Sequence, residues 1–221
     1  MKRKALVALA ALACAASAHS ESFFQVEAGL GGARVVDMGD GTWQQLGAPL
    51  NKVNLQSVVA QIGVTGPVYA AGRFDLRYHL DYVYIGEYAA SCACAERDED
   101  YDLSTKTVRD GAKLGYYSGH GHLNGIAATL DAGYTYAGWR LAAEAGIWAY
   151  VQSWNQYART SWGEWNLQSP RTVRYSYVIG ARVDHGDASI AYRYYGVKQD
   201  WSNGVPGLAS GVHALTFNYR F

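Results

Sequence analysis

Ser118, His120 and His122 fall at i, i+2 and i+4 in the stretch Ser118-Gly119-His120-Gly121-His122, and Asn124 continues the row. On an extended strand these side chains share one face. Three chemistries suit the pattern. A hydrolase would use Ser118 as nucleophile and a histidine as base. A metal site would use both imidazoles as ligands. A glycine-rich polar strand end at a water interface needs neither. The third is the expected reading, because proximity in sequence does not establish catalytic geometry. No catalytic residue is assigned on this basis, and neither a metal nor another cofactor is expected.

Two further stretches invite chemistry. In Asp98-Glu99-Asp100-Tyr101-Asp102 the aspartates at 98, 100 and 102 match the first ligands of an EF-hand loop. Its sixth position is then Leu103 in place of glycine, and its twelfth is Arg109 in place of glutamate, so the motif fails twice. A solvated acidic loop touching divalent cations among surface lipids is the expectation. Cys92 and Cys94 are the only cysteines beyond Cys14 near the N-terminus. An exported protein permits a disulfide between them. The tight C-x-C ring leaves an intermolecular bond or free thiols open.

The elements that must position these residues follow from composition and patterning. Of 221 residues, 49 % are hydrophobic and 17 % charged, with 25 glycines, 18 tyrosines and 7 tryptophans. Ordinary soluble domains carry roughly 25 % charged residues. A disordered chain lacks such aromatics, and the pattern is neither collagen-like nor coiled-coil. Formal net charge is zero, so no basic field favours nucleic acid. The start reads Met1-Lys2-Arg3-Lys4, an apolar run from Ala5 to Ala16, then Ala16-Ser17-Ala18. This predicts a secretory signal over residues 1–18, cleaved after Ala18 or after Ser20. Its removal leaves 203 residues with sixteen Lys/Arg against nineteen Asp/Glu, a net charge of −3. No later run of 18 apolar residues offers a membrane-spanning helix.

The remainder, 19–221, alternates with period 2, the strand signal. Eight strands are predicted, over 22–31, 56–65, 70–88, about 120–136, 139–152, 172–184, 188–199 and 211–221. Gly66-Pro67, Ala137-Gly138 and His185-Gly186-Asp187 read as tight turns. Residues 32–55, 89–118, 153–171 and 200–210 read as long loops, and the stretch 103–120 admits a hairpin that extends its two strands. Short and long connections alternate strictly, as in a transmembrane barrel with periplasmic turns and external loops. Tyr69, Tyr136, Trp139, Tyr150 and Trp154 suit interfacial girdles. Trp43, Trp162 and Trp165 fall on external loops, where exposed aromatics serve as binding anchors or pack on the rim.

The second face of each strand points into the barrel. It carries Glu27, Arg73, Asp75, Arg77, His79, Asp81, Glu87, Asp131, Arg140, Glu144, Arg174, Arg182, Asp184, Arg193 and Arg220. Seven arginines balance seven acids, and no lysine appears. Arginine pairs bidentately with carboxylates in crowded sites. An eight-stranded interior is just wide enough for side chains to fill. An ion-paired plug is expected, with a narrow ion path as the alternative.

The C-terminus, Leu215-Thr216-Phe217-Asn218-Tyr219-Arg220-Phe221, resembles the closing strand of outer-membrane barrels. That resemblance implies an assembly signal at Phe217, Tyr219 and Phe221, read by the barrel-assembly machinery. Signal peptide, strand count, loop alternation and terminal Phe221 together make the chain similar to the small eight-stranded OmpA/OmpX-like barrels. The resemblance implies an all-β antiparallel transmembrane barrel in the bacterial outer membrane, in contact with its lipids and lipopolysaccharide. Because the fold hosts unrelated activities, the expectation is a non-enzymatic monomer whose external loops meet an unidentified ligand. A lipid A-modifying hydrolase or a narrow small-solute channel is the alternative. The lipid A 3-O-deacylases carry His-x-Ser-Asn on a late strand. The comparable stretch here, Ala191-Tyr192-Arg193-Tyr194-Tyr195-Gly196, has neither His nor Ser, so His213 or the Ser118/His120/His122 row would have to substitute.

Overall fold

A computed structural model describes residues 24–36, 52–102, 104–168, 171–198 and 209–221. The predicted signal segment and Trp43 lie outside them. Twelve strands are described: β1 (Gln25–Val36), β2 (Lys52–Asn54), β3 (Gln56–Ala71), β4 (Phe74–Ala95), β5 (Tyr101–Asp102), β6 (Thr107–Val108), β7 (Leu114–Tyr136), β8 (Trp139–Thr160), β9 (Gly163–Gln168), β10 (Val173–His185), β11 (Ala188–Gly196) and β12 (Gly211–Arg220). Eight of them close a ring. β1 pairs with β3, β3 with β4, β4 with β7, β7 with β8, β8 with β10, β10 with β11, β11 with β12, and β12 returns to β1. Every pairing is antiparallel. Closure removes the sheet edge that a membrane would leave unsatisfied.

The turns follow local chemistry. Ala137 and Gly138 both take positive φ (49° and 83°) and join β7 to β8. Two successive positive φ values make the type I′ hairpin turn, whose twist matches its strands. The chain also turns at Gly186-Asp187 between β10 and β11 as expected, but the first of the three short turns differs from the sequence expectation. Gly66-Pro67 lies inside β3, and the chain reverses at Gly72-Arg73 instead. Pro67 cannot donate to the ladder, and a register shift between Pro67 and Tyr69 absorbs it. Gly72, at φ +63°, supplies the turn.

The outward face is apolar over a band of lipid height. On β4 it runs Phe74, Leu76, Tyr78, Leu80, Tyr82, Tyr84, which is 11 residues of strand. At ~3.3 Å per residue and a tilt near 45°, this covers about 25 Å, the apolar height of outer-membrane barrels. Leu30, Leu141, Ile147, Tyr175, Ile190, Leu215 and Phe217 carry the band around the ring, each more than half exposed apart from the molecule's lipid surroundings. Tyr69, Tyr136 and Trp139 form the expected girdle at the turn end. Tyr150 and Trp154 do not. Both are fully buried inside, because they fall on the inward row of β8.

Three strands overshoot the band. β4, β7 and β8 have 22, 23 and 22 residues, against 9 to 13 for β1, β10, β11 and β12. The expected loops 89–118 and 153–171 are therefore largely strand. The first is a hairpin tipped by a 3-10 turn (Asp98–Asp100) and the small β5–β6 ladder. The second is β8 folding back into β9. Above the band the sheet order is β2-β4-β7-β8-β9.

Candidate functional site

The interior is built in two layers. In the lower layer three arginines act as hubs. Arg182, on β10, reaches Glu27 on β1 (Nη1 to Oε1, 2.8 Å), Asp184 (2.8 Å) and the Ser189 hydroxyl (2.6 Å). Arg140, on β8, donates to Asp75 on β4 (2.6 Å), to Asp184 (3.0 Å) and, with both Nη atoms, to Asp131 on β7. Asp131 is also bonded to His79 Nε2 at 2.9 Å. Arg193, on β11, donates to Asp81 (2.8 Å), Glu144 (2.9 Å) and Gln61 (3.0 Å). Gln61 then donates to Asn218, and Asn218 to Ser189, so neutral groups join the hubs into one network. Arg182, Arg193, Arg140, Glu27, Asp131, Glu144, Asp81 and Asp184 are all buried. A lone buried ion would cost several kcal/mol, and mutual pairing offsets this.

Local sequence makes room for the network. A methyl on Gly133 would collide with the Arg140 guanidinium, so this residue of β7 has to lack a Cβ. Arg77 and Asp75 pair at 3.5 Å toward the turn end, and Arg220 donates to the Gly186 carbonyl there.

Three of the predicted lumen charges lie elsewhere. Arg73 sits in the turn and is exposed. It donates to the Tyr134 hydroxyl (3.2 Å) and lies over the Tyr136 ring, because the displaced turn takes it out of the strand row. Glu87 faces outward, because a register shift between Ile85 and Tyr88 reverses the alternation. Arg174 remains at the rim, donating to the Lys198 carbonyl at 3.1 Å.

The upper layer is aromatic. Trp148 stacks on Tyr150 (centroids 4.3 Å) and donates to the Gly196 carbonyl. Tyr88 stacks on Trp154, and Gln152 donates to the Tyr88 hydroxyl. Val35, Val59, Val83, Ile85, Leu123, Val178, Tyr195 and Val212 complete this layer. Its signal in the sequence was Ile147-Trp148-Ala149-Tyr150-Val151, apolar on both faces where a water-filled lumen would need polar residues on one. Cys92 and Cys94 sit above it, buried and joined as a disulfide.

Ser118, His120 and His122 do share a face, the outer one. Among the described residues neither Ser118 nor His120 makes a side-chain hydrogen bond, and His122 meets only the Tyr84 ring, at 5.8 Å. The row therefore lacks the nucleophile–base contact that hydrolysis requires. The intervening glycines explain the motif. Gly119 and Gly121 point inward, where a Cβ would meet the Trp154 indole at 119 and the Ser153 carbonyl and the same indole at 121. Asp102 serves a turn: it accepts from the Ser104 amide and hydroxyl and the Thr105 amide, which holds its carboxyl down at about 2. Glu96 accepts from the Ser161 amide and hydroxyl, tying one projecting hairpin to the other, and these bonds hold its carboxyl below the usual range. Trp162 is exposed at the β8–β9 turn, whereas Trp165 packs against the buried cluster. Phe217, Tyr219 and Phe221 are exposed on the outer face.

A closed ring of eight antiparallel strands, apolar outside and ion-paired within, is the architecture of the small outer-membrane β-barrel proteins. No protein-family model and no curated protein matches the chain. Among solved structures it is similar to the attachment invasion locus protein Ail of Yersinia pestis, at 12 % identity and a TM-score of 0.39, over 90 % of this chain and 97 % of that one. The outer membrane protease OmpT of Escherichia coli matches at 9 % identity and a TM-score of 0.44, over 93 % and 100 %. The toluene transporter TbuX of Ralstonia pickettii matches at 10 % and 0.33, over 92 % and 79 %. None of the three bears on what this chain does.

Proposed function

We propose that the protein is a closed barrel of the bacterial outer membrane that acts through its projecting sheet, as a non-enzymatic contact surface for a partner outside the cell. Adhesion, phage or host contact, and envelope stabilisation are the roles such a surface serves. The observation that carries this reading is the division of the molecule. The lumen is filled at two levels, by the arginine network and by the aromatic layer, while β4, β7, β8 and β9 continue past the lipid band. β9 adds an edge, since among the described strands it pairs only with β8. A strand edge of this kind is suited to partner pairing.

The test replaces residues 161–168, which carry the β9 edge, by a two-residue turn. The shortened barrel should fold and migrate as a heat-modifiable species, because none of the three arginine hubs lies in that segment. Surface binding by expressing cells should be lost, with the lipid A mass spectrum the same with and without either protein. Retained binding, or a lipid A shift by one acyl chain in cells making the full chain, would overturn the reading.

A further inference from the structure

On the β3–β11 side of the outer wall the apolar rows are interrupted at Gly32. Across β3, β1, β12 and β11, successive outward rows read Ala60, Leu30, Phe217, Ile190; then Val58, Gly32, Leu215, Tyr192; then Gln56, Arg34, His213, Tyr194. Gly32 leaves a notch between Val58 and Leu215, where a methyl would meet no atom within 4 Å. The notch opens into a groove of about 370 Å³ bordered above by Arg34, Gln56 and His213.

Arg34 stands directly across from His213 on one side and Gln56 on the other. Side chains so placed have Cβ atoms roughly 4.5–5.5 Å apart. Among the described residues no carboxylate lines the groove, and none pairs with Arg34. His213 is held in place by its Nδ1 contact with the Tyr192 hydroxyl (2.6 Å) and by the Tyr194 ring, which leaves Nε2 as its free nitrogen. A guanidinium and an imidazole set side by side with donors and no acid form a half-built anion site. It lies at the upper edge of the lipid band, directly above an apolar slot.

We infer that this groove binds one phosphorylated acyl lipid of the outer leaflet, its phosphate on Arg34, His213 and Gln56 and an acyl chain laid in the Gly32 notch. The inference is independent of the partner at the projecting sheet. Two lipid sources share the chemistry: an acylated, phosphorylated glucosamine disaccharide and a glycerophospholipid with an anionic headgroup.

Native mass spectrometry of the folded full-length protein in detergent tests it. The probes are a diphosphorylated acylated glucosamine disaccharide, its dephosphorylated form, phosphatidylglycerol, phosphatidylcholine and inorganic phosphate. One phosphorylated lipid per barrel should survive, and removing its phosphate should weaken retention at least about tenfold. Arg34→Gln should weaken it similarly through the headgroup, and Gly32→Leu by filling the notch. Arg159→Gln, a charge change on the projecting hairpin, should leave it unchanged. The ratio of disaccharide to phosphatidylglycerol retained on the same residues names the source. Equal retention by wild type, Arg34→Gln and Gly32→Leu, each shown folded by its gel shift, overturns the site. Displacement of the lipid by inorganic phosphate at matched concentration overturns the acyl seat.

Discussion

At the scale of single residues, the interior shows how a charge can be buried safely in a membrane protein. Arg140 serves Asp75, Asp131 and Asp184 at once, so its loss strands three carboxylates rather than one. Arg140→Met should lower the unfolding free energy by about 3–5 kcal/mol, the cost of breaking a buried pair, read as an earlier midpoint in urea titration in lipid vesicles. The sequence showed which residues would meet here, because alternation alone sends Asp131, Arg140, Glu144, Arg182 and Arg193 inward. It did not show the partners Gln61, Ser189 and Asn218, which are uncharged and unremarkable in a polar row. It also misplaced Glu87 and Arg73, since a bulge and a shifted turn leave no mark on residue type.

At the scale of elements, β7 separates two jobs that its sequence interleaves. Its outward row carries two imidazoles, His120 and His122, and its inward row is stripped to glycine at 119 and 121 so that Trp154 can lie against the backbone. Ser118, His120 and His122 invited a chemical reading because the sequence places them on one face; the structure puts that face outside and gives the glycines between them to the Trp154 layer. Gly119→Ala should push the Trp154 ring out of place and cost about 1–3 kcal/mol by overpacking. Gly32→Ala, on an open outer face, should leave stability unchanged. Urea midpoints and the tryptophan fluorescence maximum distinguish the two. The strand lengths were legible only in part. Above the band the apolar inward rows of β4 and β8 continue in the sequence, but the residues there alternate just as loops rich in Ser, Gly and Tyr do. What decides for strand is the buried aromatic layer they share, which is a tertiary contact.

At the scale of the whole molecule, the two interior layers are stacked in series, so a solute would have to pass both. Wild type should be silent in planar bilayers, and so should Trp148→Ala, because the arginine network lies beneath it. Steps of discrete conductance in the wild type would show that the lumen is open. The unequal walls have a separate consequence. With β4, β7 and β8 long and β1, β10, β11 and β12 short, the described strands stand higher on one wall of the ring than on the other. On the β4–β8 side the described strands form a parapet above the lipid band. Whatever arrives from outside meets the high parapet first. Free rotation about the membrane normal sweeps that parapet through every bearing, so its edge faces each direction in turn without the barrel having to tilt.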